Sequence, residues 1–229
     1  MRTKWMILGI VGGIAIICAA ILAALMIWLG LWAGLAAGLA IAAMILLLYG
    51  VVFEPWARRW GATEAEVAAV MPGDELVSDS TAVTRAITIE AAPRQVWPWL
   101  VQIGWGRAGW YSYDWLDNDG KPSADRIIPE LQNLQVDDRI PMIPGMGPPV
   151  RRIEPNALLV AGDIATAMTW CLMLTPVGPG GTRLITRWRL PKSRNVFMLI
   201  WSLFFVPGHF LLERKMLKNL KTRAAQENR

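Results

Sequence analysis

The sequence predicts an α+β protein: an N-terminal two-helix transmembrane hairpin, then a domain in which an antiparallel sheet wraps around a long C-terminal helix. Three observations predict it. No charged residue occurs between Lys4 and Glu54. Short runs rich in β-branched and aromatic residues, separated by Pro, Gly and Asn, fill the stretch from Val136 to Leu190. A helical apolar pattern then extends from about Asn195 to Ala225. Residues 1–56 are assigned to the hairpin, 57–80 to a juxtamembrane connector and 81–229 to the sheet-and-helix domain.

A bilayer core is about 30 Å thick, whereas one helix through the whole uncharged run would reach ~74 Å, so the run crosses twice. Trp and Tyr favour the membrane interfaces. Trp5 marks one end, Trp28 and Trp32 flank Gly30, and Tyr49, Trp56 and Trp60 mark the other end, which places the turn at Leu29 to Ala33. Arg2 and Lys4 precede the first helix, Arg58 and Arg59 follow the second, and the turn carries no cation. The positive-inside rule then puts both termini and the soluble domain in the cytoplasm, as expected of a multi-pass membrane protein. A cleaved signal peptide competes with this reading, but its apolar core is normally shorter. Small residues recur at Gly9 and Gly13, and again at Gly30, Gly34 and Gly38. Such stripes let helix backbones approach closely, within the hairpin or across a homodimer. No Asp, Glu, Lys, Arg or His lies in the spans, which argues for an anchor rather than an ion path.

The chain has 229 residues and a formal charge of +5. Its excess of Lys and Arg gathers at the ends, six against two Glu from Glu213 to Arg229, which suits anionic lipid headgroups better than nucleic acid. Cys18 falls in the apolar run and Cys171 in the soluble domain, so they are not a structural pair.

Thr63 caps a short helix from Glu64 to Val70 that Pro72-Gly73 ends. Val83, Arg85, Ile87 and Ile89 alternate with polar or small residues, giving a half-buried strand with one arginine on its apolar face. Pro93 opens a helix on which Val96, Leu100 and Ile103 share a side. The string Gly104 to Gly109 spells GxGxxG but follows a helix, the wrong context for a dinucleotide site. Asp117 to Gly120 hints at a calcium loop, yet Trp115 and Arg126 stand where its first Asp and last Glu belong. Ala124 to Leu134 is helical or looped. Strands are expected at Val136–Met142, Val150–Ile153, Ala157–Ala161, Met168–Pro176 and Thr182–Leu190, with Val177 to Gly181 as a hairpin loop. Met168, Trp170, Leu172 and Leu174 share a face, and Leu184, Trp188 and Leu190 can line the partner strand. The long final helix is expected to break near Pro207-Gly208, and its segment 196–212 either dips into the membrane surface or packs on the sheet, bracketed by Lys192, Arg194, Arg214 and Lys215.

On that helix Phe210, Leu217, Leu220 and Ala224 form one stripe with Glu213 in its middle. A carboxylate there is either paired or points into a cavity, because an isolated buried charge costs too much. His209, the single histidine, lies one turn earlier, and Arg85 is a possible partner. The group is a structural pair, a ligand headgroup site or, with Glu213 and His209 as acid and base, a catalytic one. Arg107, Trp110, Tyr111, Tyr113 and Asp114 form a second polar-aromatic cluster suited to a pocket mouth. No metal-ligand set, nucleophile elbow or phosphate loop is present in the sequence, and no cofactor is expected.

Several strings together resemble the START-like, helix-grip superfamily often called SRPBCC, and within it a bacterial membrane-anchored subgroup related to polyketide cyclase/dehydrase-like proteins. They are Arg58-Arg-Trp-Gly-Ala-Thr63, Pro72-Gly-Asp74, Thr84-Arg85, Val96-Trp-Pro-Trp-Leu-Val-Gln102, Gly109-Trp-Tyr-Ser-Tyr-Asp-Trp115, Ser123-Ala-Asp-Arg-Ile127, Pro129-Glu-Leu-Gln132 and His209 to Leu217. Asp137-Asp138 stands where the pattern has Gly-Asp. The resemblance implies a sheet gripping the long helix around an apolar cavity, with binders and enzymes both known on the fold. The expected function is binding of an apolar or lipid-like ligand by a membrane-tethered domain, at Arg85, Arg107, Trp110, Tyr111, Tyr113, Trp170, Trp188, His209 and Glu213. A cyclase- or dehydratase-type enzyme using the same cavity is the alternative, and a scaffold with a collapsed core the third reading.

Overall fold

The computed structural model describes residues 2–77, 79–163, 168–192 and 196–226, with side chains for all of these except 2–4, 7 and 196–202. Arg194 and the side chains of Arg2 and Lys4, used above for bracketing and orientation, lie outside the described residues. The chain divides into two compact units, Met1–Trp56 and Ala57–Arg229.

In the first unit α1 (Arg2–Leu29) and α2 (Leu31–Leu48) are separated by Gly30 alone. Its φ of 86° lies where a side chain would clash, so glycine is what permits the reversal within one residue. Both helices are long and apolar enough to cross a membrane. The small-residue stripes divide by role. A Cβ on Gly34 would sit 2.5 Å from the Met26 backbone and one on Gly38 would sit 2.6 Å from Leu22, whereas Gly9, Gly13 and Gly30 have nothing within 4 Å. Gly34 and Gly38 therefore set how closely the two helices pack. The helix tightens into a π-turn at Tyr49–Phe53 and continues as α3 (Glu54–Arg58).

The second unit is a five-stranded antiparallel sheet in the order β1-β5-β4-β3-β2, with a long helix across one face. The strands are β1 (Ser80–Ile89), β2 (Val150–Glu154), β3 (Leu158–Asp163), β4 (Met168–Val177) and β5 (Gly181–Pro191). Short α5 (Pro93–Val101) and α6 (Asp114–Asp117) follow β1, and α7 (Val196–Gln226) closes the chain. This α+β arrangement, with the sheet holding α7, is the helix-grip architecture expected from the sequence. The β4–β5 loop falls where the glycines predict it, with Val177 paired to Gly181 and Gly178 at a φ of 61°.

Alternation decides the two faces of the sheet. Inward, Val83, Ile89, Leu159, Ala161, Trp170, Leu172, Leu174, Leu184 and Trp188 pack with Val96, Trp99 and Leu100 of α5 and Met216, Leu217, Leu220 and Ala224 of α7. The inward Phe210, Leu217, Leu220 and Ala224 stripe of α7 is buried throughout. Outward, Ala86, Leu158, Val160, Cys171 and Ile185 are covered by Met71, Ala62 and Leu76 of the segment between α3 and β1.

That segment is tied down by charge as well as by grease. The Thr63 hydroxyl accepts from the Glu66 amide at 3.2 Å and the Glu66 carboxylate accepts from the Thr63 amide at 2.7 Å, a capping box that opens α4 (Glu64–Ala68). Arg183 reaches Glu66 at 2.7 Å and the Gly61 carbonyl at 2.6 Å. Arg187 and Arg189 both donate to Asp74 at 2.8 Å.

Three local expectations change. Val136–Met142 is not a strand: one isolated bridge, Arg139 to Pro149, forms within it, and a second, Ile143 to Met146, just after it. Asp137 has a φ of 71° and Pro141 lacks an amide donor, and both interrupt a ladder. Aspartate is among the few non-glycine residues that tolerate such a left-handed φ. The Thr63-capped helix ends at Ala68, two residues before Val70. Finally, α7 runs unbroken through Pro207. One missing amide is tolerated because Val206 and Phe210, on either side, are buried anchors.

Candidate functional site

β1 and β5 pair with Arg85 opposite Thr186, and both side chains face α7. There they meet Glu213, and all three are buried. The Glu213 carboxylate accepts from three donors. Oε1 accepts from the Thr186 hydroxyl at 2.8 Å and from the Trp188 indole at 2.7 Å, while Arg85 Nη1 donates to Oε2. Trp170 donates in turn to Thr186 Oγ1 at 3.0 Å. Arg85 uses its Nε on the Ala57 carbonyl at 2.7 Å, and its guanidinium lies over the Phe210 ring.

Burial works to raise the Glu213 carboxyl, but the Arg85 guanidinium with the Trp188 and Thr186 donors outweighs it and holds the group below the usual carboxylate range. His209 shows the opposite balance. Burial, aided by Arg85 and only partly opposed by Glu213, pushes its imidazole down to about 4. The geometry agrees, because Arg85 Nη1 lies 3.1 Å from His209 Nδ1 and an arginine can only donate. Nδ1 is therefore the acceptor, and the proton of the neutral ring sits on Nε2. The ring is stacked on Phe205 at 5.5 Å and edge-on to Trp188 at 5.1 Å, yet stays partly accessible. Among the described residues none accepts from Nε2–H.

Aromatic rings continue the site along the sheet. Trp188 and Trp170, paired in register, stack at 4.8 Å, and Trp110 follows at 6.0 Å from Trp170. Arg85, Trp110, Trp170, Trp188, His209 and Glu213 thus form one connected group.

The other residues singled out from the sequence lie apart from it. Tyr111, read as a pocket-mouth residue with a wet end, is fully buried. Its hydroxyl accepts from Gln102 at 2.7 Å and donates to the Trp99 carbonyl at 3.3 Å, and burial pushes it up to about 12. Arg107 donates to the Val101 carbonyl at 2.8 Å and borders an open polar cleft of about 250 Å³ with Glu130 and Asp138. Tyr113 is exposed, beside Lys215. The GxGxxG string is a tight loop closed by reciprocal 3.1 Å bonds between Gly104 and Gly109.

Thr186 was missed by sequence reasoning, although a signal existed. It is the polar residue at the centre of the inward series Leu184, Thr186, Trp188, Leu190. Gln102 was missed too: it links Tyr111, the Arg126 carbonyl and the Ile128 amide, and nothing in its local sequence marks it.

No family model matches this chain, and no curated protein does. Solved structures do. KanY is 12% identical with a TM-score of 0.39, covering 64% of this chain and 98% of its own. Protein MLL2253 from Mesorhizobium loti is 16% identical with a TM-score of 0.37, covering 64% and 98%. The Polyketide_cyc-like protein Cgl2372 from Corynebacterium glutamicum is 17% identical with a TM-score of 0.35, covering 64% and 91%. The overlap is partial, and the helix-grip assignment rests on the strand order and α7 of this chain itself.

Proposed function

We propose that this protein binds an apolar or lipid-like ligand in its helix-grip unit, held at a bacterial inner membrane by α1 and α2 with the soluble unit in the cytoplasm. The observation that carries the reading is the Trp110–Trp170–Trp188 stack ending on a neutral His209 whose Nε2–H has no acceptor among the described residues. An apolar wall with one oriented donor suits a ligand that is mostly hydrocarbon and carries one acceptor oxygen. Glu213 and Arg85 satisfy each other and hold the ring in that tautomer. A tether at the bilayer would raise the effective concentration of such a ligand.

A cyclase- or dehydratase-type reaction would require Glu213 to exchange a proton. With three donors fixed on it, the carboxylate is an acceptor that orients its neighbours, and that favours the binder. Native mass spectrometry and solvent extraction of the full chain, purified in mild detergent, test the reading. A co-purifying lipid that Trp188→Ala loses while remaining folded is expected. An empty protein whose tryptophan emission responds to no lipid of a broad panel would overturn it.

A further inference from the structure

A second surface lies on the outward side of α7. Phe204 and Leu211 are seven residues apart, hence on one stripe, and are 64% and 52% exposed. The same stripe continues into Lys215 and Lys218, so its apolar part ends in cations. The loop before α6 is pinned alongside. Ser112 Oγ donates to the Leu212 carbonyl at 2.9 Å and Asn219 donates to the Tyr111 carbonyl at 2.7 Å. This brings Tyr113 and Trp115, 37% and 41% exposed and edge-to-face at 6.5 Å, next to the stripe, with the Lys215 ammonium 5.9 Å from the Tyr113 ring.

We propose that this face, built from Phe204, Leu211, Tyr113, Trp115 and Lys215, rests in the headgroup region of a lipid bilayer. Apolar residues grouped on one exposed face mark an interaction surface, and such a face is normal in a helix lying ~5–10 Å deep in the interface. Tyr and Trp are the residues that favour that depth, and lysines at the polar border suit phosphate. The loop's own acids do not cancel this. Asp114 is tied to Ser123 and Asp117 is partly buried, which leaves Asp119 facing solvent. Apolar contact dominates and anionic lipid adds to it. A bilayer is the occupant because the pattern combines an apolar centre, interfacial aromatics and a cationic edge, whereas a protein partner would not require that order. The inference rests on reading α1 and α2 as inserted, and it assigns the stretch of α7 from Phe204 to Lys215 a second, lipid-facing role beside its inward one.

The test uses the full chain in nanodiscs containing anionic lipid and nitroxide-labelled lipids, with an environment-sensitive thiol fluorophore. Cys18 on α1 reports insertion of the tether. Cys171 is buried, its thiol pushed up to about 12 by burial, and stays unlabelled. Leu211→Cys and Phe204→Cys in a Cys18→Ser background report the face, and Val177→Cys in the exposed hairpin is the water reference. Expected is loss of most emission at Leu211→Cys and Phe204→Cys with nitroxides near the headgroup, and none at Val177→Cys. Emission at Leu211→Cys matching Val177→Cys would overturn the inference while quenched Cys18 leaves the tether standing. Unquenched Cys18 would overturn both. Protection of Leu211→Cys from aqueous quencher without quenching by lipid would show a protein on this face and overturn the inference as well.

Discussion

At the scale of single residues, the Arg85–Glu213 pair is a buried charge pair whose members each complete the other's hydrogen bonding. Removing one leaves the other uncompensated. Arg85→Met or Glu213→Gln is expected to cost about 3–5 kcal/mol, read from denaturation of the full chain in detergent. Arg85→Met with Glu213→Leu should recover part of the loss, limited by the Thr186 and Trp188 donors left without an acceptor. His209 makes stability depend on pH. Its folded pKa of about 4 lies below the ordinary 6.5, so the unfolded chain binds the extra proton between those values. Stability from this group is complete above about pH 6.5 and falls as pH drops toward 4, by on the order of 3 kcal/mol. The difference between the parent and His209→Asn across that window isolates it. Asp117 runs in the opposite sense. Burial pushes its carboxyl up to about 6 from the ordinary 3.8, and Oδ1 has no partner among the described residues, so stability is lost as pH rises between those values. Asp117→Asn is expected to stabilise by about 1–2 kcal/mol at pH 7 and by little at pH 4. The Glu213 and Arg85 pairing was legible in the sequence because each is a lone charge on an apolar face. The buried end of Tyr111 was not, because a tyrosine beside Trp110 and Ser112 reads the same whether its hydroxyl meets water or Gln102.

At the scale of elements, alternation and turn chemistry located β1, β4, β5 and their hairpin within a few residues, since each buries one face against a single partner layer. Val136–Met142 has the composition of a strand but carries a left-handed residue and a proline, and such defects decide pairing only when a neighbour is in place. The segment between α3 and β1 reads as polar linker, yet it covers the outer sheet face through groups scattered along it. Gly61 is the closest of these approaches: its φ is 75° and an added Cβ would sit 2.1 Å from the Ala86 carbonyl oxygen. Gly61→Ala is therefore expected to loosen this cover and cost more than about 1 kcal/mol, seen as early hydrogen exchange in Ala62 to Leu76. Thr63→Ala, which removes the capping box alone, should cost about 1 kcal/mol in the same segment without the backbone clash.

At the scale of the whole molecule, the proposed topology predicts that Val177→Cys resists a membrane-impermeant thiol reagent in intact cells and reacts in inverted vesicles. Labelling in intact cells would reverse the proposed orientation. What the sequence by itself determined was whatever depends on local pattern: two apolar helices long enough to span, a turn at Gly30, a strand-rich middle, and α7 with a carboxylate in its apolar stripe. Solvent preference and backbone sterics act on residues near each other along the chain, so these features need no knowledge of the fold. What only the tertiary structure decided was which of the polar and aromatic residues meet. Thr186 is brought opposite Arg85 by strand register, Glu213 reaches both from more than twenty residues away, and His209 receives its tautomer from a strand 124 positions earlier. Arg107 and Tyr111, close in sequence to Trp110, are held apart from the site by partners on or just after α5, the Val101 carbonyl for Arg107 and Gln102 with the Trp99 carbonyl for Tyr111. Burial and hydrogen-bond partners are properties of packed neighbours, and those neighbours are distant in sequence, which is why most of the site's members could be anticipated but the place of Thr186 and the separation of Arg107, Tyr111 and Tyr113 could not.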